Sequence, residues 1–173
     1  MKGFTMRGTD FGQPRWRWIG PCAFLLLIAS ISSACHSQSS SGDAKHIIQG
    51  SWVIKSIYTT QNVEGPDPSQ QKKLVGTQVV VSAQSLHACG QSVPIKSIEV
   101  HQVSSDEFLT NTRARFSEVE IHSPSVTEVI MNNRQAGSCF QVFPLPGQDV
   151  YIKSKNEILI SFEGVFYKAV RKK

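Results

Sequence analysis

From residue 48 onward the chain is written in short apolar and alternating runs separated by turn residues. Ile48 to Thr60 sets Trp52 and Ile54 against Val53 and Ile57 in a β-rich composition, which predicts an opening strand. Gln61 to Pro68 is loop, with Gly65-Pro66-Asp67-Pro68 as turn punctuation. Ser69 to Gly76 reads as a short helix, capped by Ser69 and ended by Gly76 in a left-handed conformation. Thr77 to Ser82 is a β-branched strand and Ser85 to Ala88 a shorter one, after which Gly90 and Pro94 mark a break. Ile95 to Val103, Val126 to Met131 and Cys139 to Phe143 follow as strands, with Asn132 to Gly137 as loop.

Ser105-Asp106-Glu107-Phe108-Leu109 begins like a helix, with a capping serine and two acids in the first turn. On that helix Phe108, Leu109, Thr112 and Phe116 would share one face. A strand through Thr110 to Ile121 is the rival, so helix and strand both stand for 105–117. The last third is the clearest. Asp149–Lys153, Glu157–Phe162 and Val165–Arg171 are three strands in a row, joined by Ser154-Lys155-Asn156 and by Glu163-Gly164, a tight-hairpin pair. Ile158, Ile160 and Phe162 alternate in one strand, and Val165, Tyr167 and Ala169 in the next. About eight short strands, mostly neighbours in sequence, predict a mainly β fold: an antiparallel meander closing into a barrel, with one or two short helices.

The segment before this domain has a different grammar. Residues 1–21 carry four basic side chains, Ala23 to Ala29 is a compact apolar core, and Ser32-Ser33-Ala34 supplies small residues, the order of a secretory signal. Even counted from Ile19 to Ile31, the apolar run is shorter than the ~20 residues that span a bilayer. Met6 is a second possible start. The predicted organisation is a signal peptide over 1–34, a flexible tether over 35–45 and a β-barrel domain over 46–173. The segment also corrects the charge: of the net +5, residues 1–34 hold four basic and one acidic side chain, leaving a near-neutral domain. Interspersed signs without a concentrated basic face exclude nucleic acid as the expected partner.

Ile31-Ser32-Ser33-Ala34-Cys35 resembles a bacterial lipobox, although its third residue before the cysteine is Ser32 in place of the usual leucine. The resemblance implies a lipid on Cys35, cleavage before it, and a membrane anchor. Cleavage after Ala34 without lipid is the alternative. The Ser-rich stretch from His36 to Asp43 suits the tether of an anchored domain. Without Asp at position 36, the same resemblance implies an outer-membrane lipoprotein facing the periplasm.

Of four cysteines, Cys22 lies in the signal and Cys35 at its end, which leaves Cys89 and Cys139 in the domain. Two cysteines in an exported domain predict one disulfide, closing a loop worth about 4 kcal/mol on chain-entropy arithmetic. The rival, a metal site of His87, Cys89, His101 and Cys139, lacks the usual zinc spacing and is disfavoured in an oxidising compartment; no metal and no cofactor are predicted.

Gly50-x-Trp52 at the start of the first strand resembles the G-x-W signature of lipocalins and related calycin-type barrels. That resemblance implies an arginine on the last strand lying across the tryptophan and covering one end, and Arg171 stands at that place. The chain is similar to uncharacterised bacterial lipoproteins of lipocalin-like build. It departs from true lipocalins in lacking a Thr-Asp-Tyr-like middle motif.

No nucleophile elbow, zinc-protease motif, P-loop or dinucleotide fingerprint is present, and His46, His87, His101 and His122 are scattered. The expectation is a non-catalytic binding role. In one reading the barrel holds a small apolar or lipid ligand, with Ile54, Ile160, Phe162 and Tyr167 as lining. In the other the interior is filled, and the surface binds an envelope protein as an inhibitor or immunity-type factor.

Overall fold

The structure, a computed structural model, describes residues 41–58, 60, 67–133, 138–139, 143–162 and 164–173. The expected signal segment, Cys35 and the tether to residue 40 lie outside them. Eight antiparallel strands close into a barrel in the order β1-β10-β9-β8-β5-β4-β3-β2. These are β1 (Gly50–Tyr58), β2 (Gln78–Val81), β3 (Ser85–Ala88), β4 (Gln91–Ser104), β5 (Ser125–Asn133), β8 (Asp149–Ser154), β9 (Glu157–Phe162) and β10 (Val165–Arg171). The two-residue strands β6 (Ser138–Cys139) and β7 (Phe143–Pro144) pair only with each other. The expected strand over 139–143 is therefore two short pieces, with 140–142 outside the described residues.

Alternation in the strands sorts side chains into two cores. Trp52, Ile54, Val79, Val81, Leu86, Ala88, Val129, Met131, Val150, Ile158, Ile160, Tyr167 and Ala169 belong to one buried cluster, the barrel interior. The intervening positions Leu159, Phe166 and Tyr151 belong to a second cluster outside the barrel wall. Bulges reset the parity within β1 and within β4. A register shift between Ile54 and Ser56 returns Ile57 to the inside. A second, between Ile95 and Ser97, does the same for Ile98 and Val100. Pro94, expected to mark a break, lies within β4 opposite Ser85.

Among the described residues three α-helices dress the barrel: α1 (Ser41–Ile48), α2 (Pro68–Leu74) and α3 (Ser105–Thr112). Helix α1 was not expected. The stretch predicted as tether to residue 45 is helical from Ser41 and buries Ala44 and Ile48, one turn apart, in the inner core. In α2 the cap is Asp67, not Ser69: its carboxylate accepts the Ser69 N–H at 2.8 Å. Gly76 does take the left-handed side, at φ +91°.

At 105–117 the helix prevails. Ser104 caps it by accepting from the Glu107 N–H. It ends at Thr112, because Arg113 turns left-handed (φ 60°). The chain then runs into a 3₁₀ turn over Phe116–Val119. That reversal takes Phe116 off the helix, and within α3 itself the expected face is split: Phe108 is fully buried and Leu109 is 42% exposed. Phe108 is the centre of the outer core, 5.1 Å from the Phe116 ring, 5.0 Å from Tyr151 and 5.6 Å from Phe166.

Candidate functional site

One end of the barrel is closed by Arg171, Trp52 and α1. Arg171 faces Trp52 across the β1–β10 pair, with its guanidinium carbon 4.2 Å from the indole centroid. Its Nε donates to the Lys155 carbonyl (2.9 Å), and its two terminal nitrogens donate to Gln49 (2.9 Å) and Ile47 (2.5 Å). The last two carbonyls lie at the C-terminal end of α1, where a cation is favoured. Trp52 Nε1 donates to the neighbouring Ile48 carbonyl at 2.8 Å. Gly50 is required twice. Its φ is +127°, and a Cβ there would stand 2.5 Å from an Arg171 nitrogen.

At the other end, Cys89 and Cys139 form a disulfide with 5.3 Å between Cα atoms. It consumes both thiols of the rival metal set, and among the described residues no group of three or more His, Cys, Asp or Glu could hold a metal ion. The bridge ties the β3–β4 turn to the β6–β7 hairpin. Past that hairpin, Leu145 is buried in the inner core. A Cβ at Gly147 (φ +103°) would stand 2.9 Å from Val79 and 3.4 Å from Leu86, both of which belong to that core. The Gln148 carbonyl accepts from Met131 N–H at 2.7 Å. Described residues thus enter the inner core from both ends of the barrel.

Ile54, Ile160, Phe162 and Tyr167 all lie in this inner core, each 6% exposed or less. They are core side chains packed against their neighbours, and neither open pocket described below counts them in its lining. One feature breaks the apolar pattern: among the described residues the Tyr167 hydroxyl has no hydrogen-bond partner, nor do the Asn133 side-chain nitrogen and oxygen. Burial pushes the Tyr167 phenol up to about 12.

The densest polar cluster is on the outer wall, where five elements meet. Tyr58 (β1), Glu120 (after the 3₁₀ turn), Lys153 (β8), Glu157 (β9) and Lys168 (β10) form one network. The Lys153 ammonium uses three donors: Glu157 at 2.8 Å, the Tyr58 hydroxyl at 2.8 Å and the Val119 carbonyl at 3.0 Å. Tyr58 in turn donates to Glu120 at 3.0 Å. Lys168 reaches Glu157 at 3.1 Å and Glu120 at 3.4 Å. Burial, then the Glu120 carboxylate, pushes the Tyr58 phenol well above its usual range. The Tyr58 hydrogen bond and Lys168 hold Glu120 below the usual carboxylate range. Burial works against the charge on Glu157, but Lys153 and Lys168 outweigh it and leave that carboxyl low as well. The hydrogen bond to Glu157 raises Lys168.

Beside this network lies an open groove of about 430 Å³. Ile121, Val126 and Ile152 contribute apolar surface, and His122, Ser123 and Ser154 contribute polar edges. Glu120 itself sits at φ 57°, a left-handed position for a non-glycine residue. With two ammonium and two carboxylate groups compensating each other, the cluster can orient a polar partner but presents no excess charge. Sequence reasoning missed it, since its members are spread from residue 58 to residue 168. A second open pocket, about 560 Å³, is lined by Thr77, Gln78, His87, Cys89 and Gly90.

No protein-family model matches the chain, and comparison with curated proteins and with solved structures found no match either. The closed eight-stranded antiparallel barrel is compatible with a lipocalin-like build.

Proposed function

We propose that this chain is an exported, lipid-anchored barrel that binds an envelope protein through the groove on its outer wall and turns nothing over. The contrast between the two faces supports this reading. The interior is occupied by the chain's own side chains, with α1 at one end and Leu145–Gly147 at the other. The outer groove is open, with an apolar floor and a rim of compensated charges, the composition of a protein interface more than of a lipid pocket. The anchor is the lipid on Cys35, in the outer membrane facing the periplasm, on the strength of the apolar run and the lipobox-like residues before it.

The test is capture from an envelope extract with the groove blocked. His122→Trp puts an indole into the groove at an exposed position outside the charge network. It should abolish capture of any partner held by the wild-type protein, whereas Lys72→Trp on α2 should leave capture intact. Equal capture by all three proteins would remove the groove from consideration.

A second reading has one observation in its favour. An unpartnered hydroxyl on Tyr167 inside an apolar core is what a bound molecule with one polar end would satisfy. In that reading the barrel holds a small apolar ligand.

A further inference from the structure

We propose that the free edge of β4 is an association surface, on which a second copy of this chain adds its own β4 as an antiparallel strand about a two-fold axis at Val100. The surface is separate from the outer groove, whose lining contains no β4 residue.

The edge follows from the ladders. β4 runs from Gln91 to Ser104, but β3 pairs with it only as far as Pro94. The Ile95 N–H donates to the Gln84 carbonyl at 2.8 Å, and there the seam with β3 ends. β5 covers the other side from Ile95 to Ser104. In an antiparallel sheet, alternate residues turn both backbone groups to the same side. The Met131 N–H reaches the Gln148 carbonyl just ahead of β8, so odd-numbered β5 residues face β8 and even-numbered ones face β4. The β4 partners of those even-numbered residues, Ser97, Glu99, His101 and Val103, are therefore bonded to β5. Ile98, Val100 and Gln102 turn their N–H and C=O groups the other way, and among the described residues no hydrogen bond reaches those groups. Helix α1 does not supply a partner: it touches β4, β5 and β8 from the inner side, where Ala44 and Ile48 are buried.

The edge is also unguarded. Proteins blunt an edge strand with Pro, Lys or a bulge. Pro94, Lys96 and the bulge between Ile95 and Ser97 stand at its start, and none of these devices follows as far as Ser104. Ile98 and Val100 pack against the inner core yet are only half-buried.

A second copy fits because the edge is complementary to itself. The free stretch 96–104 is bounded by the Ile95–Gln84 bond and by Ser104, which caps α3, and its midpoint is Val100. A two-fold axis there, perpendicular to the sheet, sets Val100 against Val100 and Ile98 against Gln102 of the second copy. Every free backbone group then faces another, and each pair can exchange both of its bonds. At the intervening positions Glu99 falls opposite His101 of the second copy, on both sides of the axis. These side chains are 54% and 51% exposed. Glu99 is already oriented: Asn132 Nδ2 donates to one carboxylate oxygen at 2.6 Å, and the other lies 3.8 Å from His101 Nε2 of its own chain. Association closes the four side chains into a ring of alternating carboxylate and imidazole, an arrangement favoured for opposed cross-strand pairs.

The test is sedimentation of the full chain carrying Cys35→Ser over about 1–300 μM, with amide exchange followed residue by residue. The expected result is a monomer–dimer equilibrium. Up the series the Ile98, Val100 and Gln102 amides should gain at least about threefold protection, while those of Glu99 and His101 stay unchanged. Val100→Pro removes the N–H at the axis without touching the β5 ladder, and should weaken the dimer at least about tenfold. A second pair of variants leaves the backbone alone. His101→Glu sets acid against Glu99 and should weaken association about fivefold, and adding Glu99→His to it should restore the dimer to within about twofold. A protein that stays monomeric across the series, or a dimer indifferent to Val100→Pro and to the charge exchange, would overturn the proposal.

Discussion

Phe108→Ala should destabilise the protein by about 3–5 kcal/mol, the range for removing a fully buried aromatic ring. Phe108 meets Phe116, Tyr151 and Phe166 at ring distances of 5.0–5.6 Å. Its removal leaves a cavity between α3 and the barrel wall that rigid strands on one side cannot close. The damage should be local at first: α3 and the 3₁₀ turn lose their seat on Tyr151 and Phe166, while the inner core is a separate cluster. Urea unfolding should show the midpoint drop. Hydrogen exchange should show the loss of protection beginning in 105–119 and not in β9 or β10. Leu109→Ala, on the exposed side of the same helix, should change stability by less than about 0.5 kcal/mol.

That outer core was half legible in the sequence. Ile158-Leu159-Ile160 and Val165-Phe166-Tyr167 are apolar at consecutive positions, which a strand with one wet face does not need. The inward residues were read from their alternation; the outward ones carried an unread signal that something covers the wall. Helix α1 was hidden for a different reason. Only Ala44 and Ile48 face the core, and the surrounding Ser, Gly, Asp and Lys have the composition of a tether. Bulges at 54–56 and 95–97 shift the inside–outside parity by one, which no period-two count anticipates. The Trp52–Arg171 pair was legible because both residues sit at strand ends that the meander must join. The Tyr58–Glu120–Lys153–Glu157–Lys168 network was not, because only the closed sheet brings five distant positions together.

Arg171→Ala should cost about 2–4 kcal/mol, combining the cation–π contact with three charge-assisted hydrogen bonds. The carbonyls of Ile47, Gln49 and Lys155 would all lose their donor in one step. Two of the three hold α1 over the barrel end, so the helix should fray along with the closure. Arg171→Lys keeps the charge but offers a point donor in place of a planar fork, and should recover less than half of the loss. Trp52 is the only tryptophan after Trp18, so on the chain from Cys35 onward its emission reports the site directly. In Arg171→Ala the spectrum should shift to the red as water reaches the indole, and the thermal midpoint should fall. A blue, unshifted Trp52 with an unchanged midpoint would mean that the arginine closes nothing.

The filled interior is the point on which the choice between an inner ligand and an outer partner turns. A fluorescent fatty acyl probe should be titrated into the oxidised Cys35→Ser protein in detergent-free buffer, with Ile160→Ala beside it. The expected result is no saturable binding to the parent protein, because Ile54, Ile160, Phe162 and Tyr167 belong to one buried core that Ile48 of α1 joins at one end and Leu145 at the other. Saturable binding to the oxidised parent that changes in Ile160→Ala would contradict that account and return the function to the inside of the barrel.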